Sequence, residues 1–117
     1  MSVGLVVVSH SAKVAEGVVE LAGQMAPDVR IRAAGGTDDG DGVLVLVEFG
    51  SAVLSAQLAV DELVGEARRG RVRISNAPLV EGAVVGAVQA STGSDLDEVD
   101  QAATETATMA KVKDDRS

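Results

Sequence analysis

An unbroken apolar run near the start of the chain constrains the fold most strongly. Residues 3–8 read VGLVVV and are followed at once by the polar triplet Ser9, His10 and Ser11. A short β-branched run with polar residues at its end is typical of a strand buried on both faces, as the central strands of parallel sheets are. Such a strand needs a helical layer on each side, so the rest of the chain has to supply both helices and further strands.

Helical and strand patterns alternate along the remaining sequence. Further strands are predicted at residues 29–33, 43–47 and 72–75, and helices from about Ala12, from about Ser51 and after Pro78. The first helix is predicted to bury a face made of Val14, Val18, Leu21, Ala22 and Met25, and the third a face made of Val84, Ala87, Val88 and Ser91. Ser94 with Asp97 is predicted to cap a last short helix. The alternation predicts an α/β domain, a small doubly wound and mainly parallel sheet with helices on both faces.

Composition limits the organisation and the partners. A chain of 117 residues that is 46% hydrophobic fits one domain, predicted at residues 1–103, and the small, polar and charged residues 104–117 predict a flexible tail. A net charge of -8 disfavours nucleic acid, because phosphates would be repelled. The six apolar residues at the start are too few for a signal peptide. We therefore expect a cytoplasmic protein that binds neither nucleic acid nor membrane.

Polar and glycine-rich segments follow three of the predicted strands. His10 follows the first, the segment from Gly35 to Thr37 the second, and the segment from Glu48 to Ser51 the third. Parallel strands end at one edge of the sheet, where such folds bind ligands, and helix amino termini at that edge favour an anion. A phosphoryl-binding site is predicted from Ser11, Gly36, Thr37, Gly50 and Ser51.

His10 is the candidate catalytic residue. It is the one histidine of the chain, and a neutral imidazole is a competent nucleophile toward phosphorus. Glu48 is predicted to orient the ring by accepting a hydrogen bond from Nδ1. The residues alone leave open that His10 is an ordinary loop residue, that Gly35 and Gly36 form an ordinary turn and that Ser51 is an ordinary helix cap. The acidic stretch 38–41 is interpreted as a solvated turn, so no metal and no cofactor is predicted.

Four segments carry a resemblance to a known family: VVVSHSAKVAEGVVELAGQM, AAGGTDD, VLVEFGSAVLSAQ and NAPLVEGAVVGAV. They resemble the phosphocarrier subunits of dihydroxyacetone kinases that depend on the sugar phosphotransferase system, which are mannose-type IIA domains. The resemblance extends over residues 2 to about 100 and implies the strand order 2-1-3-4. It also implies a phosphotransferase component in which HPr phosphorylates His10, and His10 then phosphorylates ADP on the nucleotide-holding kinase subunit. A homodimer is implied as well.

Two alternatives stand beside this interpretation. The chain could be the IIA component of a mannose-type sugar transporter, with the same chemistry and a different acceptor, or a non-catalytic regulatory or interaction module. The segments NAPLVEG and GSAVLSA favour the kinase subunit over the transporter component.

The sequence departs from this family in two places. Glu48 and Phe49 stand where an aspartate precedes the Leu-Gly-Ser stretch in the family, so the orienting carboxylate has a longer arm. The predicted second and third strands are joined by only residues 34–42, whereas a parallel crossover needs about a dozen residues or more and is usually helical. Either the natural chain contains a further helical segment near residues 40–42, or strand 2 is rearranged. The first explanation is preferred, because the patterns on both sides of the gap are kept.

Overall fold

The computed structural model describes residues 3–33, 42–63 and 70–112. Within these residues the chain forms one sheet of four strands, namely β1 (Gly4–Val8), β2 (Ile31–Ala33), β3 (Val43–Val47) and β4 (Val72–Ile74). The strand order is β2-β1-β3-β4, and each neighbouring pair is parallel. The predicted fold class and strand order are confirmed.

In the part of the chain that the structure describes, helices follow β1, β3 and β4. They are α1 (Ala12–Met25), α2 (Ser51–Leu63), α3 (Leu79–Ser91) and α4 (Leu96–Glu105), and a 3-10 turn (Thr106–Thr108) follows α4. The cap of α4 lies one residue beyond the predicted one. Asp95 accepts from the Glu98 N–H at 2.9 Å, while the Glu98 carboxylate accepts from the Asp95 N–H at 3.0 Å. This reciprocal pair satisfies two amides that the helix itself leaves without partners.

The sheet is covered on both faces, as its apolar strands require. Alternate side chains of a strand point to opposite faces. On one face Leu5 and Leu46 belong to a cluster that includes the buried sides of α1, α3 and α4. On the other face Val6 and Val45 pack with Ala56 of α2. The helical layers on the two faces explain why β1 and β3 are apolar at every position.

The buried stripe of α1 differs from the predicted one. Val18 and Ala22 are buried as predicted, and Ala15 is buried with them. The other three residues of the predicted face are exposed, at 40% for Val14, 43% for Leu21 and 59% for Met25. α1 has apolar residues on more than one of its sides, so helical spacing alone was compatible with more than one buried face. Close packing against the sheet and α3 selects the stripe with the smaller side chains.

α3 shows the same preference for small residues. Its buried residues are Gly82, Ala83, Gly86, Ala87 and Ala90. The predicted face is wrong at Val88 and Ser91, which are exposed. α3 lies between the sheet and α4, and only small side chains allow the helix to approach both.

The chain beyond Thr104 is more ordered than its composition predicts. α4 continues to Glu105, and the 3-10 turn then buries Thr106, whose hydroxyl donates to the Ala103 carbonyl at 2.7 Å. Side-chain hydroxyls thus bind carbonyls at the end of α4. A prediction from hydrophobicity alone does not include such hydrogen bonds. Residues 113–117 lie outside the described part of the chain.

Strand β2 occupies its expected place in the sheet. Leu5 pairs with Ile31 and Val7 with Ala33 in parallel register. This pairing contradicts the alternative that strand 2 is rearranged. Of the short connection between β2 and β3, Gly42 is described, and residues 34–41 lie outside the described residues.

Two glycines of α3 provide a matched test of this packing. A Cβ on Gly82 would lie 2.7 Å from the Ala77 Cβ, whereas a Cβ on Gly86 would meet its nearest neighbour, the Ala103 Cβ, at 3.5 Å. We expect Gly82→Ala to lower the free energy of unfolding by about 1 to 3 kcal/mol through overpacking. Gly86→Ala should raise it by up to about 1 kcal/mol, because alanine favours the helix. Urea unfolding measures both, and equal effects of the two substitutions would contradict this packing.

Candidate functional site

The candidate site lies where β1 and β3 end beside each other. Val8 pairs with Val47, and the Glu48 N–H donates to the Val8 carbonyl at 3.2 Å, one residue past the strand. The two loops that lead into α1 and α2 are therefore neighbours at the edge of the sheet formed by the carboxyl ends of the strands, which we call the carboxyl edge. The predicted convergence of His10 and Glu48 at this edge follows from the pairing.

The triplet from Ser9 to Ser11 shapes the turn from β1 into α1. The Ser9 hydroxyl accepts from the Ser11 N–H at 3.0 Å, and the Ser11 hydroxyl caps α1 by accepting from the Val14 N–H at 3.3 Å. A hydroxyl that accepts one hydrogen bond can still donate another, so the cap is compatible with the predicted phosphoryl contact of Ser11. His10, between the two serines, is exposed.

Glu48 binds the backbone of His10. Its Oε1 accepts from the His10 N–H at 2.8 Å. This hydrogen bond is the main reason that the pKa of Glu48 lies below its usual value, and the Ser9 hydroxyl and the charge of His10 lower it further. The carboxylate is therefore ionised at neutral pH and holds the loop that carries His10. Its predicted second contact, with the imidazole Nδ1, stays a prediction.

Gly50 turns the chain from β3 into α2. Its φ of +76° lies in the left-handed region that favours glycine, and its carbonyl accepts from the Val53 N–H at 3.0 Å. Ser51 is the first residue of α2, and its side chain lies outside the described residues. Gly50 thus sets the direction in which the amino terminus of α2 emerges beside His10.

The charges in the first helical turns favour an anion at this edge. Neither α1 nor α2 has an acidic residue in its first turn, whereas α3 has Glu81 and α4 has Asp97 and Glu98 there. An acidic residue in the first turn would offset the positive end of the helix dipole. The two helices that begin beside His10 therefore have no acidic residue of their own to offset their amino-terminal dipoles, although the whole chain is acidic.

Part of the predicted phosphoryl site cannot be compared with the structure. Gly35, Gly36 and Thr37, like the acidic stretch 38–41, lie outside the described residues. In the described ranges, no group of three or more His, Cys, Asp or Glu side chains could hold a metal ion. Among the helices of those ranges, none has the length and apolarity needed to cross a bilayer.

Two residues of this edge were not predicted from the sequence as site residues. Ser9 contacts both Ser11 and Glu48, and the signal for it was its place beside His10 in the SHS triplet. Phe49 is the one aromatic residue of the chain besides the histidine, and it is 92% exposed. A lone aromatic residue that follows the orienting carboxylate was a signal that the sequence already contained.

The chain is similar to known proteins in both sequence and fold. The family described as PTS system fructose IIA component matches residues 4–41 and 37–100. A solved structure of a protein of unknown function, EF1359, superimposes with a TM-score of 0.77 at 29% identity and covers 90% of this chain and 95% of that chain. The match extends to nearly all of both chains, so the fold is shared throughout.

Curated relatives share more of the sequence. The chain is 39% identical to the PEP-dependent dihydroxyacetone kinase, phosphoryl donor subunit DhaM, of Escherichia coli (strain K12), over 83% of this chain and 25% of that protein. It is 36% identical to the PEP-dependent dihydroxyacetone kinase 2, phosphoryl donor subunit DhaM, of Listeria innocua serovar 6a, over 74% of this chain and 85% of that protein. The chain thus spans about a quarter of the length of the first relative and most of the second.

The hydrogen bond between Glu48 and the His10 backbone predicts a specific titration. A carbon-detected NMR titration should give Glu48 a pKa below that of an ordinary glutamate. The depressed pKa means that Glu48 adds stability above its unfolded-state pKa and loses it as the pH falls through the folded-state value. Because the main cause is a backbone N–H, His10→Ala should retain most of the depression, whereas Ser9→Ala should reduce it. An ordinary Glu48 pKa in His10→Ala would contradict the assignment.

Proposed function

We propose a phosphoryl-carrier function for this chain, which belongs to the family of PTS system fructose IIA components. His10 would accept a phosphoryl group from HPr and pass it to ADP bound on the nucleotide-holding subunit of a dihydroxyacetone kinase. The chain would then be the phosphotransferase component of that kinase, would act as a homodimer in the cytoplasm, and would need no metal or cofactor of its own.

The observation that carries the proposal is that His10 is exposed at the carboxyl edge, next to two helix amino termini that favour an anion. The imidazole is accessible to another protein, and the amino termini of α1 and α2 beside it have no acidic residue in their first turns. A phosphoryl group on the ring would meet these positive dipole ends. The names of the curated relatives, which are phosphoryl donor subunits, support the same function.

The proposed chemistry needs few side chains. The lone pair of the His10 Nε2 forms a bond to phosphorus while the bond between phosphorus and the donor's imidazole breaks. In the second step a terminal phosphate oxygen of ADP attacks the same phosphorus, the N–P bond breaks, and its electron pair returns to Nε2 as ATP forms. Catalysis of such transfers is mostly positioning and charge stabilisation. Glu48 would contribute by holding the His10 loop in place.

The transporter alternative is kept because the description of the matching family names a sugar phosphotransferase component. Both functions use the same phosphohistidine and differ in the acceptor. Labelled phosphate on His10 should move to the ADP-loaded kinase subunit, and transfer only to the IIB domain of a sugar transporter would favour the alternative. Absence of any acid-labile phosphate after incubation with phosphoenolpyruvate, the general first component and HPr would favour a non-catalytic module.

We also propose that residues 1–103 form the phosphocarrier domain and that the natural chain has a further segment between β2 and β3. The alignment with the Escherichia coli relative extends over 120 residues, more than the whole chain of 117, yet it includes only 83% of the chain. That relative therefore has residues without a counterpart here. The family matches this chain in two parts that overlap at residues 37–41, which supports a missing segment in this connection.

Peptide mapping tests the further segment. Trypsin cleaves after arginine, and no lysine or arginine lies between Arg32 and Arg68. Protein isolated from its natural host should lack a tryptic peptide of residues 33–68 with the mass of the contiguous sequence, and should instead contain longer or additional peptides that join β2 to β3. Detection of the contiguous peptide at its calculated mass would show that the short connection is natural.

Substitutions at the site test the carrier function. His10→Ala should abolish acid-labile phosphorylation while the unfolding midpoint stays unchanged, because an exposed side chain contributes little to packing. Glu48→Gln should slow phosphoryl transfer by about tenfold to a thousandfold, the usual range for loss of a positioning or electrostatic group. Glu20→Gln, an exposed acidic position on α1, is the matched control and should leave the rate unchanged. Phosphate mapped to another residue would refute the proposal.

A further inference from the structure

Six exposed apolar side chains belong to segments that begin or end at the carboxyl edge. We call this set the edge surface, and its members are Val14, Phe49, Leu54, Val80, Met109 and Val112. We propose that the edge surface is the docking site for the protein that accepts the phosphoryl group, with Phe49 as its anchor. This inference rests on the proposed function and adds the recognition of the partner to it.

The topology brings three of these residues to one edge. Val14, Leu54 and Val80 lie in the first turns of α1, α2 and α3, and each of these helices begins just after a strand of the parallel sheet. Helices that follow parallel strands begin at the carboxyl ends of those strands. Side chains of a helix also lean toward its amino terminus, which directs these three toward the edge that carries His10.

The segment after α4 returns to the same edge. The Lys111 Nζ lies 3.4 Å from the Glu81 Oε2, and Glu81 is in the first turn of α3. Met109 and Val112 flank Lys111 and are 56% and 81% exposed. This ion pair therefore keeps two further apolar side chains near the start of α3, close to the carboxyl edge.

Phe49 is the most exposed member of the edge surface. It is 92% exposed and lies between Glu48, which binds the His10 backbone, and Gly50, which begins the turn into α2. Single exposed aliphatic residues are common on protein surfaces. A fully exposed aromatic residue within an apolar set is different, because aromatic side chains are the frequent anchors of protein interfaces.

The reaction indicates which partner covers this surface. In-line transfer brings the accepting oxygen to about 3 to 3.5 Å from phosphorus, so the acceptor protein has to cover the residues around His10. The chain has a net charge of -8, and Glu48 and Glu81 at this edge are both carboxylates. A complementary face is therefore basic around an apolar recess. We assign that recess to Phe49.

Transfer kinetics test the inference, with His10 phosphorylated either by phosphoramidate or by HPr. Phosphoramidate phosphorylates histidine chemically, without a protein donor, and the loaded chain is then mixed with the purified ADP-loaded kinase subunit. For Phe49→Ser we expect unchanged chemical loading of His10, a KM for the acceptor raised by about tenfold or more, and a kcat close to that of the unsubstituted chain. Phe49→Leu should restore most of the lost affinity.

Met25→Ser is the matched control. Met25 is 59% exposed at the carboxyl end of α1, which lies at the opposite edge of the sheet, so its substitution should alter neither loading nor KM. An unchanged KM in Phe49→Ser with a native unfolding midpoint would overturn the docking site. Slower loading of Phe49→Ser by HPr, with an unchanged KM for the acceptor, would also overturn it and would assign the surface to the donor. Failure of the unsubstituted chain to load or to phosphorylate ADP would instead refute the carrier function itself.

Discussion

The parallel pairing of β1 with β3 is the interaction on which the site depends. It aligns Val8 with Val47 and continues by one hydrogen bond, so that Glu48 reaches the backbone of His10. In a sheet with both faces covered, a register shift of one residue would exchange the faces of the whole strand. The two apolar layers therefore keep the register, and the register places the carboxylate beside the histidine.

General patterns in the sequence were sufficient for the architecture but not for the packing. The buried strands, the helical spacing and the loops at strand ends predicted the parallel sheet and the meeting of His10 with Glu48, while the strand order came from the family resemblance. Of the predicted buried face of α1, Val18 and Ala22 are buried, but Leu21 and Met25 are exposed and Ala15 is buried in their place. Hydrophobicity measures what a side chain gains by burial, but the distance between layers decides which side chain fits. The distance between layers depends on the whole folded protein, so the sequence of one helix does not determine it.

The distribution of charge joins the fold to the proposed chemistry. Acidic residues outnumber basic ones by 18 to 10 in the chain as a whole. The starts of α1 and α2 have none, while α4 uses Asp95 and Glu98 as its cap. The carboxylate of Glu48 accepts hydrogen bonds from the backbone N–H of His10 and from the Ser9 hydroxyl. The starts of α1 and α2 are thus kept free of acidic residues of their own, and the one carboxylate beside His10 is ionised and held by hydrogen bonds.

The exposure of Phe49 has a practical consequence for spectroscopy. The chain contains one phenylalanine, one histidine, no tyrosine and no tryptophan, and both rings lie at the carboxyl edge. Every aromatic proton resonance of this 117-residue chain therefore originates at the carboxyl edge. A one-dimensional proton spectrum reports on that site without isotope labelling, and absorbance or fluorescence near 280 nm belongs entirely to whatever tyrosine- or tryptophan-containing protein is added.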